Sequence, residues 1–147
     1  LFYAVALSPD HFEKYSDLRV HLESTYWSEA VNTLTKQDHE DLIKILAEAK
    51  RKMNGNPIKN PHQEHRKLHL TIFSRLNNPF VIGLLEAYWD LYENGGLDVY
   101  ADYSYLEKVW LYHEKIVLAI CEGKILEAQS YFIEHINIMH ERPEKKP

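Results

Sequence analysis

The chain has 147 residues, 45% of them apolar, and its 17 basic and 22 acidic side chains leave a formal charge of -5. That length and apolar content suit one domain with a real core, and they exclude a disordered or low-complexity chain. Outside the tail Glu144-Lys145-Lys146 the basic residues make only the short run Lys50-Arg51-Lys52, within a chain of negative net charge, so the broad basic footprint that phosphate contacts require is missing and this chain alone is not expected to grip DNA.

The first residue is Leu1, and the apolar run Leu1 to Leu7 is too short to span a membrane and lacks the basic segment of a signal peptide. Residues 1–9 are expected to be the end of a linker from a preceding domain. Ser8-Pro9-Asp10 predicts a helix start, with Ser8 as N-cap and Pro9 in the first turn. The stripe Phe12, Tyr15, Arg19, Leu22, Tyr26, Ala30 carries that helix to about Leu34. Thr35-Lys36-Gln37-Asp38 resembles a capping box with Asp in place of Glu and opens a second helix through Leu42, Ile45, Leu46, Ala49 and Met53, which Asn54-Gly55-Asn56-Pro57 ends. A third helix is predicted from about Pro61 to Leu76. Asn77-Asn78-Pro79 then breaks the chain and caps a fourth, from Phe80 to about Tyr92, which Asn94-Gly95-Gly96 stops. The last two helices are predicted from about Tyr103 to Cys121 and from Lys124 to His140, separated by Glu122-Gly123.

Six helices with short connections predict an all-α antiparallel bundle over residues 10–140, with an internal cavity for a metal and an effector. Residues 141–147 form a charged tail broken by proline. Cys121, the one cysteine, cannot form an internal disulfide, which fits a reducing cytoplasm. Aromatic residues such as Tyr26, Trp27, Tyr88, Trp89, Trp110 and Tyr112 are spaced either to line a cavity or to fill the core.

Histidines fall on the apolar stripes of three of these helices. His65 and His69 stand at i, i+4 on the stripe with Leu68, Ile72 and Leu76. His113 lies among Leu106, Val109, Ile116 and Ile120, and His135 among Ile125, Ala128, Phe132 and Met139. One buried histidine is usually settled by a single hydrogen bond. Four on convergent faces need many partners at once, and a divalent cation satisfies them together, because imidazole is a good ligand for zinc, nickel and copper.

The run Asp17-Leu18-Arg19-Val20-His21-Leu22-Glu23, then Leu34 to Asp38, Leu68-His69 followed by Asn78-Pro79, His113 to Ile120, and Ala128 to His135 resembles the C-terminal effector-binding (FCD) domain of FadR-type regulators in the GntR family. The resemblance covers about residues 10 to 140. It implies a helical bundle that forms a homodimer, binds a small effector, often an organic acid, and reports to an N-terminal winged helix-turn-helix that holds operator DNA and is absent from this chain. In metal-binding members of the family one Asp and three His hold a divalent cation in the core. Carried over, the three histidines are His69, His113 and His135, and the position of the Asp is taken by His65. Losing that carboxylate removes a hard, negative ligand, so the site is expected to disfavour calcium and manganese and to favour zinc or nickel. Either His65 is the fourth ligand or it swings away and leaves a weaker site.

The resemblance also points to Arg19 as a partner for an effector carboxylate; the competing use of its guanidinium is an intrahelical pair with Glu23 at i+4. The expected effector is a small carboxylate that completes the metal sphere, since a cation held by neutral imidazoles calls for an anion. The alternative, a metal-dependent helical-bundle enzyme, is disfavoured: the chain has neither HExxH nor the Glu-x-x-His pairs of di-iron bundles.

Overall fold

Every regular element in the computed structural model, which describes residues 9–94 and 102–140, is an α-helix. They are α1 (Pro9–Thr25), α2 (Trp27–Asn32), α3 (Lys36–Met53), α4 (His62–Phe73), α5 (Pro79–Asn94), α6 (Tyr103–Cys121) and α7 (Ile125–His140). The expected N-cap Ser8, the Gly95-Gly96 stop, Tyr100, the side chain of Met139 and the tail lie outside the described residues. No helix among those described is long and apolar enough to cross a membrane.

The long first helix expected to reach Leu34 is instead two segments. Tyr26 takes φ -91° and ψ 5°, the sparsely populated bridge between helical and extended backbone. Hydrogen bonds nevertheless run on through the joint, from Tyr26 N to Leu22 O at 3.0 Å and from Ala30 N to Tyr26 O at 2.9 Å. The bend coincides with the docking of Trp27. That side chain is fully buried, stacks on Phe132 at 4.7 Å and donates its indole N–H to the Ile125 carbonyl at 3.3 Å, which anchors α2 against α7.

The other boundaries follow from local chemistry. Thr35 and Asp38 form the expected capping box at the start of α3. The Asn78 side-chain oxygen accepts from Phe80 N and Val81 N at the start of α5. At the end of α6, Gly123 adopts φ +75°, open to glycine without a Cβ penalty. Gly123 N then reaches Ile120 O at 3.0 Å and Lys124 N reaches Ala119 O at 2.9 Å, a Schellman turn that folds α7 straight back onto α6. α3 and α4 are pinned at both ends. Arg75 makes a bidentate pair with Asp38 at 3.0 and 3.1 Å, and Lys52 meets the buried Glu64 at 2.9 Å. These two helical hairpins, with α1, α2 and α5 packed around them, bring the stripes of α4, α6 and α7 to one interior.

Candidate metal centre

The two hairpins deliver four imidazoles to one point. His65 and His69 come from α4, His113 from the middle of α6 and His135 from α7. Each offers a ring nitrogen, and these atoms all lie within 4.8 Å of one another. The closest rings are those of His113 and His135, with centroids 4.3 Å apart; the His65 ring stands 4.8 Å from that of His113 and 5.0 Å from that of His69. His113 and His135 are 0% exposed and His69 2%. His65 is half-buried, its ring edge-on to Trp89 at 4.8 Å. His62, one turn before His65, instead places Nδ1 3.3 Å from the Asn60 carbonyl.

The electrostatics leave two of these rings, His113 and His135, with lone pairs to offer. Burial, followed by the proximity of His135, His65, His69 and Arg19, pushes the His113 pKa well below the usual imidazole range. Burial, followed by His69 and Arg19, does the same to His135. Both are therefore neutral at physiological pH. Among the described residues, both nitrogens of His113, both of His135 and Nε2 of His69 have no hydrogen-bond partner. Buried polar atoms are nearly always satisfied, so three imidazoles around one point with such atoms fit a bound cation, which would take the lone-pair nitrogen of each ring. Zinc–nitrogen bonds of about 2.0–2.1 Å set tetrahedral donors roughly 3.4 Å apart. Closing this cluster on an ion thus takes side-chain shifts on the order of an ångström.

Behind the imidazoles stands a buried charge relay that sequence reasoning left incomplete. Arg19 and Glu23 of α1 are 2% and 0% exposed and pair at 3.1 Å. The Arg19 guanidinium also lies over the Tyr88 and Trp89 rings, 4.8 and 5.6 Å from their centroids. The other oxygen of Glu23, Oε1, is 3.2 Å from His69 Nδ1. Burial alone would raise the Glu23 pKa, but the charge of Arg19 and the contact with His69 outweigh it and hold the group below its ordinary value. The carboxylate is ionised and can only accept, so His69 Nδ1 is the donor, which in a neutral imidazole leaves the lone pair on Nε2. The inward face of α1 runs Tyr15, Arg19, Glu23 and continues to Trp27 at the start of α2, a spacing of four. The stripe read from sequence placed Leu22 and Tyr26 there, both only half-buried. Following the four-residue row from Tyr15 and Arg19 was the signal that would have found Glu23.

The fold and the site together define an all-helical bundle whose buried centre is a set of convergent imidazoles suited to a transition metal. A family model described as the FCD domain matches residues 15–137. The chain belongs to that family, the C-terminal effector-binding domain of GntR-type transcription regulators. No curated protein and no solved structure matches it.

Proposed function

We propose that this chain is the metal-dependent sensory and dimerisation domain of a cytoplasmic GntR-family transcription regulator. Its histidines His65, His69, His113 and His135 hold one divalent transition metal, zinc or nickel, and a small carboxylate effector binds beside them within the bundle. The observation that carries the reading is the gathering of four ligand atoms within 4.8 Å, where buried nitrogens of His69, His113 and His135 find no other partner among the described residues. The donor set supports the choice of metal, because neutral nitrogen ligands suit zinc and nickel better than calcium or manganese. When bound, the ion supplies two positive charges that attract a carboxylate. Arg19, whose charge is paired with that of Glu23 at 3.1 Å, is the side chain whose guanidinium, with five N–H donors, would meet the effector carboxylate. The domain acts by binding rather than turnover. In the dimeric regulator, occupancy would control operator binding by a separate winged helix-turn-helix domain, two copies of which would read two half-sites.

The test is elemental analysis of protein purified without added metal or chelator, followed by titration with zinc and nickel. One equivalent of metal per chain, a melting temperature lowered by chelation, and loss of binding in His113→Ala and His135→Ala are expected. Protein that takes up neither metal refutes the reading.

A further inference from the structure

Resting on the metal reading above, we infer that Glu23 is a positioning residue of the metal centre: it holds His69 as the Nδ1–H tautomer so that Nε2 is the ligating atom, and it offsets the charge of Arg19 beside the cation. Three observations carry this. Glu23 reaches across from α1 to α4, with Oε1 3.2 Å from His69 Nδ1. Its second oxygen is taken by Arg19 at 3.1 Å, which fixes the carboxylate in place. Both Glu23 and His69 are buried, so solvent does not compete for the contact. A metal-bound imidazole whose other nitrogen donates to a carboxylate has its ring orientation set and its basicity raised. Here the device has a further use. All four imidazoles are neutral ligands, and the positive charge of Arg19 is felt at both His113 and His135. Without Glu23, that guanidinium and a divalent ion would share one buried space with no anion between them. Metal occupancy therefore tightens the link between α1 and α4.

The experiment compares the wild type with two variants, by zinc titration and by 15N NMR of the histidine rings in metal-free protein. Glu23→Gln keeps an acceptor for His69 but loses the charge. The double variant Arg19→Met with Glu23→Leu removes acceptor and both buried charges together, which spares the fold an uncompensated ion and decides the matter if the single variant does not fold. In Glu23→Gln, His69 should remain the Nδ1–H tautomer while zinc affinity falls by about tenfold to a hundredfold. In the double variant the His69 proton should redistribute to Nε2 and zinc should again bind more weakly than to the wild type. Failure of the wild type to bind zinc overturns the metal reading and this one with it. Zinc bound by the wild type and equally tightly by every folded variant, with His69 still Nδ1–H in the double variant, overturns the role of Glu23 alone.

Discussion

Replacing His113 by leucine should stabilise the metal-free protein and at the same time abolish most of its response to metal. The His113 side chain is fully buried and neither ring nitrogen has a partner among the described residues. A neutral imidazole carries one donor and one acceptor, and leaving each buried and unsatisfied costs about 1–3 kcal/mol. Leucine has a similar volume and no polar atom, and a volume-conserving exchange costs less than about 1.5 kcal/mol in packing. The net gain without metal is then between about 0.5 and 6 kcal/mol. At about 2–4 °C per kcal/mol for a chain of this size, a gain near 2 kcal/mol raises the melting temperature by roughly 4–8 °C. With zinc the order reverses. Free zinc at about a thousand times its dissociation constant stabilises the wild type by about 4 kcal/mol, and the variant, with three imidazoles left, should lose most of that. Calorimetric melting of both proteins, in chelator and in zinc, reads the two effects in one series. A variant that melts below the wild type in chelator would show that the protein itself already satisfies the imidazole, and the argument for a cation from orphaned nitrogens would fall.

Stability of the metal-free protein should also fall steeply below pH 6.5. His113 and His135 have depressed pKa values in the folded state, through burial first and neighbouring charge second, while in the unfolded chain they protonate near 6.5. Their contribution is therefore present above that pH and lost as the pH falls towards the folded-state pKa values, by at most about 1.4 kcal/mol per pH unit for each; urea midpoints in chelator that stay flat between about pH 6.5 and 5 would contradict it. Asp38→Ala removes the capping box and the contact with the half-exposed Arg75, and the expected cost is about 1–2 kcal/mol. Arg75 first and Thr35 after it hold the Asp38 pKa at about 2, so that contribution survives to low pH, and zinc affinity in this variant should match the wild type. Small mono- and dicarboxylates screened against zinc-loaded protein should raise the melting temperature for at least one compound, with the gain lost on chelation and reduced in Arg19→Ala; equal binding to metal-free protein and to that variant would remove the carboxylate proposal. Light scattering at tens of micromolar should show a dimer, and a monomer would count against the proposed assembly.

Much of this molecule is legible in its residues because helices announce themselves locally. The Thr35 and Asp38 box, the Asn78 cap and the turn at Gly123 each act within a few residues, and the ends they predict agree with the structure to within a residue or two. His69, His113 and His135 stood out because an imidazole on an apolar stripe violates the pattern of its own helix, and all three are buried. What the chain could not reveal depends on which stripes meet and how each helix is rotated. The bend at Tyr26 accompanies the docking of Trp27, whose indole reaches a carbonyl 98 residues away. Spacing alone gives Glu23 as an intrahelical partner for Arg19, and only the packing of α1 shows that both are buried. The His69 proton is assigned by an oxygen 46 residues distant in the chain. Periodicity fixes which face of a helix turns inward. Only tertiary packing decides which atoms on two inward faces come within hydrogen-bond reach, because that depends on helix rotation and side-chain rotamers selected jointly by the whole core.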